Sequence, residues 1–408
     1  MTEVKESQLH IPEGINFDCT GCGNCCFEWP VPATRDDFTR ISKYAEDKGL
    51  DNKQLFRVLN VADEKLKVFS HSLEKRDDGL CAFLTDDKCC SIHSEHGADA
   101  KPAMCRLFPY TFTDTPSGTF ASVSFAATGV LYNVGKPLAE QTELLKNRFK
   151  LFKQLFPTLS LDWTEAQLID GQPLKWGAYI DVEREILNRL SKLEAGQRVE
   201  KTLFEEADRF RKQAAGAKLD NIASLTTNPK IIDLVLIRHL LHLYFPEDVY
   251  KSGGYELDAQ AVAREFLAEP KKVLFDHHGT EFSLQDLISV RLGRLPDEAA
   301  DLLRRFAYLR IFSKLYFGPG FNYLSVIAGI HHLTILICLL RIRLKLELLH
   351  GKKSGRFDAA ELLAVLAEDT RTLERRLTVS TFGQESIAML EILLLSPQRV
   401  ERIVSIAG

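Results

Sequence analysis

The chain has 408 residues, of which 45% are hydrophobic and 26% are charged, and its formal net charge is −4. This length suffices for two or three domains with full cores, and the weakly acidic charge excludes a global basic field directed at nucleic acid or an anionic membrane. The first twenty residues lack the basic start and apolar run of a secretory signal. We therefore expect a cytoplasmic protein, and in that reducing environment clustered cysteines favour metal or redox chemistry over disulfides.

The cysteines are concentrated near the N-terminus. Eight of the nine lie between positions 19 and 105, where even spacing would place about two. We therefore predict a thiol-rich domain over residues 1–136 and a second domain over residues 137–408. The ninth cysteine, Cys338, lies alone in an apolar segment and is interpreted as a buried hydrophobic residue.

The segment "CTGCGNCC" carries four thiols within eight positions, those of Cys19, Cys22, Cys25 and Cys26. Each C-x2-C interval lets two thiolates converge on one ion, and Gly21 and Gly23 permit the tight backbone this requires. Structural zinc sites and iron–sulfur clusters both use such spacing. Adjacent cysteines point to opposite faces of an extended segment, so one ion is not easily bound by both. The spacing therefore indicates either two metal sites or one multinuclear site.

A helix is predicted directly after this segment. Thr34 is a good N-cap residue, Asp36 and Asp37 suit the first helical turn, and Gly49 is a suitable stop. The apolar residues between them are spaced for one buried helix face. The thiol-rich domain therefore begins with a cysteine loop followed by a helix.

The remaining clustered thiols follow in three places. "GLCAFLTDDKCCSIH" predicts two short strands around a turn at residues 85–88, which would place Cys81 opposite Cys89 or Cys90. Cys105 lies between two prolines, and "GTFASVSFAATG" predicts a strand after it. We expect the clustered thiols to converge in space. The predicted metal ligands are Cys19, Cys22, Cys25, Cys26, Cys81, Cys89, Cys90 and Cys105.

Two histidines, His93 and His96, follow the last adjacent pair of cysteines. Histidine is a common metal ligand, but eight thiols already fill two tetrahedral sites. We therefore interpret both histidines as surface or supporting groups.

The second domain is predicted to be mostly helical, because its apolar residues recur three and four positions apart. The predicted helical segments are 138–156, 179–197, 205–216, 229–245, 297–318 and 354–377. "GPGF" at 318–321 is interpreted as a turn between helices. The expected fold class is α+β: a small, irregular, metal-built module with short strands, followed by a mostly α-helical domain.

One apolar segment, residues 323–340, is long enough to cross a membrane. His331 and His332 lie in its middle, however, and polar groups at that depth are costly. No second such segment is visible. We therefore interpret it as a buried core helix and expect no membrane span.

Catalytic motifs are not visible in the sequence. It has no phosphate-binding P-loop, no G-x-S-x-G elbow and no G-x-G-x-x-G after a strand. The pattern therefore gives no catalytic residue and no nucleotide-type cofactor site, and we expect no nucleic-acid partner.

The thiol-bearing boxes "CTGCGNCC", "GLCAFL", "CSIH" and "CRLFP" resemble, in order, those of the YkgJ-type cysteine-cluster family, a zinc- or iron-chelating domain. The matching residues are Cys19, Cys22, Cys25, Cys26, Cys81, Cys90, Pro102, Cys105, Arg106, Phe108 and Pro109. Many members of that family have a later Cys-Pro-Gly box, where this chain has "FAATGV" at residues 125–130. Cys89 is an additional thiol that either replaces the missing one or is incidental.

The resemblance implies a metal-binding protein that holds an iron–sulfur cluster or zinc. Similar clusters precede a longer helical region in flagellin lysine-N-methylase-like proteins. That likeness implies an alternative function, a protein lysine N-methyltransferase that uses S-adenosylmethionine on a protein substrate. A second alternative is a redox-sensing protein that binds a protein partner through its helical domain.

Overall fold

The computed structural model describes residues 8–27, 30–60, 67–194, 196–215, 229–246, 257–268, 270–351, 358–380 and 382–408. Helices account for 57% of the chain, and short strands form small sheets in the N-terminal region. This composition confirms the predicted α+β fold class. Contacts between Cα atoms divide the chain into two compact units, Met1–Leu161 and Asp162–Gly408.

The described residues of the first unit form six strands and six α-helices. These are β1 Leu9–His10, β2 Val31–Thr34, α1 Arg35–Asp47, α2 Asn52–Leu55, β3 Phe56–Val58, β4 Phe69–Leu73, α3 Ser91–His96, α4 Ala103–Leu107, β5 Tyr110–Thr115, β6 Gly118–Val123, α5 Thr128–Leu131 and α6 Thr142–Leu155. Two three-stranded sheets result, in the orders β1-β6-β5 and β2-β4-β3. The β1–β6 pair is parallel and the other pairs are antiparallel.

Helix α1 begins as predicted, with Thr34 as its N-cap. The Thr34 hydroxyl accepts a hydrogen bond from the Asp37 backbone N–H, and the Asp37 carboxylate accepts one from the Thr34 N–H. The buried Asp37 carboxylate also accepts the backbone N–H of Ala103, at 3.1 and 3.2 Å. One carboxylate therefore joins the start of α1 to the start of α4, the helix that carries Cys105.

The turn predicted at residues 85–88 is present, but the prediction of two strands around it is wrong. Lys88 N–H donates to the Thr85 carbonyl at 2.9 Å, but only isolated bridges flank the turn. Leu84 pairs with Cys90, whereas Cys81 pairs with Lys75. The backbone N–H of Leu84 donates to the Cys81 carbonyl at 3.0 Å, which starts a second turn. Tight local turns therefore take the backbone groups that a ladder would need.

Helix α6 lies within the first unit, although the sequence pattern had assigned these residues to the helical domain. Phe112 of β5 contacts Phe149 and Phe152 of α6, with ring centroids 5.3 and 5.5 Å apart. These aromatic contacts cover one face of the sheet. The domain boundary after residue 136 stays a prediction.

The second unit is mostly helical in its described residues. Its elements are β7 Gln167–Ile169, β8 Gln172–Pro173, α7 Trp176–Ser191, α8 Val199–Ala215, α9 Ile231–Tyr244, α10 Ala259–Leu267, β9 Leu274–His277, β10 Thr280–Ser283, α11 Leu284–Ser289, α12 Asp297–Phe312, α13 Val326–His350, α14 Ala359–Val379, α15 Gln384–Leu394 and α16 Pro397–Ala407. Every helical segment predicted for the second domain overlaps a helix. Gly318–Gly320 forms a short 3-10 helix between α12 and α13, at the position where a turn was predicted. The two hairpins and the short helices were missed, because their apolar patterns are brief.

Helix α13 forms the centre of the second unit and packs against α8 and α16. Among the described residues it is the one helix that is long and apolar enough to cross a membrane, and 94% of its most apolar stretch is buried. Two of its three histidines, His331 and His332, are fully buried. A His331 ring nitrogen lies 2.5 Å from the Leu394 carbonyl, and His332 Nε2 lies 3.0 Å from the Tyr244 hydroxyl. Burial lowers the pKa of His331 to about 4 and that of His332 to about 3.

Candidate metal centre

The eight predicted ligand thiols come from four segments of the first unit. The first segment is a loop over residues 19–26, the second contributes Cys81, the third Cys89 and Cys90, and the fourth is α4 with Cys105. Cys19 and Cys25 are exposed, and the other six are half-buried. Cys338 is fully buried in the second unit, in agreement with its interpretation as a core residue.

Backbone hydrogen bonds anchor the start of the cysteine loop. Phe17 N–H donates to the Lys136 carbonyl at 3.1 Å, and Asp18 N–H donates to the Val134 carbonyl at 3.0 Å. Gly129 lies so close to residues 17 and 18 that a Cβ atom on it would be 2.3 Å from the Asp18 carbonyl oxygen. The residues just before Cys19 are therefore fixed against the segment that follows the last strand.

The two glycines of the loop make the turns that the spacing predicts. Gly21 and Gly23 have φ values of +63° and +72°, a region that side-chain-bearing residues rarely adopt. After Gly23 the chain enters a short 3-10 helix, Asn24–Cys26, in which Cys26 N–H donates to the Gly23 carbonyl at 2.8 Å. The loop therefore turns sharply at both glycines, as the C-x2-C spacing requires.

Four of the thiols, those of Cys26, Cys81, Cys90 and Cys105, form a group that we call the inner thiols. The Cys26 carbonyl accepts the backbone N–H of Cys81 at 3.1 Å and the Lys75 ammonium at 3.0 Å. Cys81, Cys90 and Cys105 pack against one hydrophobic cluster, which includes residues of α1 and the β2-β4-β3 sheet. Three segments that are distant in sequence thus place a cysteine against the same hydrophobic cluster.

Three of the inner thiols, those of Cys26, Cys81 and Cys105, have raised pKa values and resist ionisation. A hydrogen bond with the Cys25 thiol raises the pKa of Cys26, as do burial and the neighbouring charges of Cys25, Cys81 and Cys105. Burial raises the pKa of Cys81, and it raises that of Cys105 to about 12. Because several thiolates cannot be charged together in such a site, a bound cation would supply the missing compensation.

We call Cys19, Cys22 and Cys89 the outer thiols, because their contacts differ from those of the inner thiols. The Cys89 sulfur lies 3.9 Å from the position of a Cβ atom on Gly21. The Asp87 carboxylate is the main cause of the raised pKa of Cys89, and Cys19 contributes to it. The additional cysteine of this chain is therefore a neighbour of the first cysteine box.

The Cys22 sulfur lies 3.0 Å from the Thr128 hydroxyl. The Thr128 oxygen also accepts the Asn24 side-chain amide at 3.4 Å, which leaves its own hydrogen available to the sulfur. Burial raises the pKa of Cys22. Hydrogen bonds from Thr128, Thr20 and the Asn24 backbone lower it by more than this rise, so the pKa is below its ordinary value. Cys22 is thus prepared to act as a thiolate.

The donor set fits a thiophilic metal. Soft thiolates suit zinc and iron–sulfur clusters. The positive charges of Lys75 and Lys101 both lower the pKa of Cys105, and they would offset the net negative charge of a metal held by four thiolates. Among the described residues, however, no three cysteine sulfurs lie within 4.8 Å of one another. Metal binding would therefore draw these loops inward, and the individual ligands stay a prediction.

The groups that surround the thiols were missed from the sequence. Lys75 and Lys101 have no spacing relative to the cysteines that would have identified them. Thr128 had a weak signal, because it lies in the 125–130 segment where relatives carry a late cysteine. His93 and His96 are exposed on α3, in agreement with their interpretation as surface groups.

Comparison with known proteins agrees with the thiol arrangement. Residues 18–126 match the model of the CxxCxxCC family, described as "Putative zinc- or iron-chelating domain". Neither curated proteins nor solved structures gave a match to the chain. The matched segment lies within the first unit and contains all eight clustered cysteines. Residues 18–126 therefore form a cysteine-cluster domain of the zinc- or iron-chelating family.

Proposed function

We propose that the first unit is an iron–sulfur protein module of the cytoplasm. The observation that carries this proposal is the packing of Cys81, Cys90 and Cys105 on one hydrophobic cluster, with the Cys26 carbonyl bonded to the Cys81 backbone and raised pKa values for Cys26, Cys81 and Cys105. Buried thiols that gain from a cation are what a thiolate-ligated metal requires. The cofactor would add folding free energy to a unit whose own core is small.

Iron is favoured over zinc by the number and spacing of the thiols. A closed zinc site needs four ligands, whereas this unit presents eight clustered cysteines. The C-x2-C-x2-C run over Cys19, Cys22 and Cys25 suits three corners of an iron–sulfur cluster, and a remote cysteine completes the set. The hydroxyl of Thr128 beside Cys22 is the type of hydrogen-bond donor that adjusts the reduction potential of such clusters.

We further propose that Cys89 acts in place of the late cysteine of the family. Its sulfur is adjacent to Gly21, and it interacts electrostatically with Cys19. The segment without the late cysteine still reaches the site, because Thr128 contacts Cys22. The 125–130 segment thus still contacts the site through Thr128, although it carries no cysteine. Cys89 supplies a thiol near the first cysteine box instead.

The test is metal analysis of protein purified without oxygen. We expect brown protein that contains iron and acid-labile sulfide and that bleaches in air. Cys22→Ala is expected to lose the colour, because Cys22 is the central member of the C-x2-C-x2-C run and its loss breaks both C-x2-C intervals. Cys338→Ala is the matched control and is expected to keep it, since Cys338 lies in the core of the second unit. Colourless protein with zinc and no sulfide would contradict the iron assignment.

The methyltransferase and redox-sensing alternatives stay predictions from the sequence. No observation on the described residues favours either one. Calorimetric binding of S-adenosylmethionine would favour the first, and capture of a protein partner that depends on the metal would favour the second.

A further inference from the structure

A second group of metal-ligating side chains lies in the second unit, where there are no clustered thiols. His277 and His278, at the end of β9, meet Glu347 on the last turns of α13. One ligand atom from each of the three lies within 4.8 Å of the other two. His350, at the end of α13, is also near: its ring centroid lies 5.2 Å from that of His278 and 5.8 Å from that of His277.

The hairpin places His278 at its tip. His277 pairs with Thr280, so His278 and Gly279 form a two-residue turn with φ values of +51° and +72°. Such turns favour asparagine or aspartate at the first position, and histidine is an unusual choice. The His278 side chain is 57% exposed and faces Glu347, with Nε2 3.5 Å from Oε2.

Glu347 and His350 are three positions apart on α13, so they share one face of the helix. The pair is a Glu-x-x-His arrangement, a spacing that can present a carboxylate and an imidazole to one ion. His350 is half-buried at the helix end. Rotation about its side-chain bonds is a fast motion at such a position, and it can bring a ring nitrogen toward Glu347.

Arg343 determines the role of His277. The guanidinium can only donate, and it lies 2.8 Å from His277 Nδ1, so the ring hydrogen is on Nε2. His277 Nε2 therefore donates to Glu347 Oε2, at 2.6 Å. Asp369 holds Arg343 in place with contacts of 3.0 and 3.2 Å. His277, whose side chain is 1% exposed, thus orients the carboxylate and keeps its own nitrogens occupied.

We propose that Glu347, His278 and His350 bind a divalent first-row transition metal such as Zn²⁺, with His277 as a positioning residue. Imidazole nitrogen and carboxylate oxygen are established ligands for this class of ion. Three protein ligands leave a fourth position for water, and the exposure of His278 gives solvent access to it. This site uses no thiol, so it is independent of the function proposed for the first unit.

The test is a Co²⁺ titration of full-length protein that already carries the metal of its first unit. We expect one additional equivalent with weak visible bands and no thiolate charge-transfer band, because its ligands are nitrogen and oxygen. That spectrum separates this site from the thiols, whatever metal they hold. His278→Asn and Glu347→Gln are expected to lose the equivalent. The matched control His242→Asn, at an exposed histidine of α9 in the same unit, is expected to keep it.

The His278→Asn variant should fold, because an Asn-Gly pair is favoured in a two-residue hairpin turn. Wild-type cobalt binding by His278→Asn, or no additional equivalent in the wild-type protein, would overturn the proposal.

The role of His277 is tested separately. His277→Leu is expected to weaken cobalt binding by about 10- to 100-fold at unchanged stoichiometry, as for other residues that orient a metal ligand. His277→Gln should recover part of that affinity, because its amide N–H can donate to Glu347. His350→Gln is expected to weaken binding more than His277→Leu does. Unchanged affinity in His350→Gln, together with complete loss in His277→Leu, would show that His277 is the ligand and contradict the assigned roles.

Discussion

The two units differ in how they compensate their buried polar groups. In the second unit, buried charges have partners from the chain itself: Arg402 contacts Asp233 at 2.6 and 2.9 Å, and Lys314 contacts Glu183 at 2.8 Å. In the first unit, Cys81 and Cys105 pack on the hydrophobic cluster and have raised pKa values. These charges of the second unit are compensated within the chain, whereas the thiols of the first unit would gain from a bound cation.

The same contrast appears in the surroundings of cysteine. Cys338 lies on α13 between apolar neighbours, where burial raises its pKa well above the ordinary value and keeps it a neutral thiol. Cys22 is hydrogen-bonded by Thr128 and has a lowered pKa. Cysteine is thus a small hydrophobic residue at position 338 and a more readily ionised thiol at position 22.

Metal removal should produce the largest difference between the units. Thiolate metal sites contribute on the order of 10 kcal/mol to the folding of small domains. We expect chelation under reducing conditions to abolish hydrogen-exchange protection in β5 and β6 while α13 stays protected. The buried α13 supplies the control within the same molecule. Retained protection of β5 and β6 in metal-free protein would contradict a metal-built first unit.

Metal uptake itself should depend on pH in one direction. The inner thiols Cys26, Cys81 and Cys105 have raised pKa values and are protonated at neutral pH, so binding must release protons. We expect metal affinity to increase with pH and to decrease in acid. Zinc titrations in buffers of different ionisation enthalpy would measure the proton release, and an absence of released protons would show that these thiols are not ligands.

Acid should have a smaller effect and act on the second unit. The pKa of His332 is about 3 in the folded protein and near 6.5 when unfolded, so the unfolded chain binds more protons between these values. The contribution of His332 to the free energy of unfolding is fully present above pH 6.5. Below that pH it decreases by about 1.4 kcal/mol per pH unit. His332→Gln should reduce the slope of unfolding free energy against pH, and the exposed His242→Gln should not. Hydrogen exchange of α13 peptides measures the unit selectively, and equal slopes would contradict the buried neutral histidine.

The smallest effect is expected from Thr128→Val. This change removes one hydroxyl beside Cys22, worth about 1 kcal/mol, and keeps the shape of the side chain. We expect unchanged metal content and a lower reduction potential, because hydrogen bonds to sulfur stabilise the reduced, more negative cluster. Redox titration followed by absorption measures the shift. The first unit would not contain a cluster near Cys22 if the potential stayed the same.

Thiol chemistry and most of the helices were predictable from the sequence alone. The turns of the cysteine loop depend only on local geometry, so the positions of Gly21 and Gly23 between the cysteines were enough to predict them. The helix cap at Thr34 is equally local, because its partner Asp37 lies three residues away. Long periodic segments such as α13 were predicted because their pattern repeats over many turns.

Tertiary structure decided which groups meet. The contact of Thr128 with Cys22 spans 106 positions, and the contact of His277 with Glu347 spans 70. The predicted pairing of Cys81 with Cys89 or Cys90 was wrong, because side-chain and turn hydrogen bonds competed with the strand ladder. Such outcomes depend on the packing of distant elements and on competition between nearly equal local structures. Neither leaves a pattern that identifies the distant partner. The sequence therefore indicated thiol chemistry in the first unit, whereas the Glu-x-x-His spacing of Glu347 and His350 gave no sign of the hairpin histidines that lie beside Glu347.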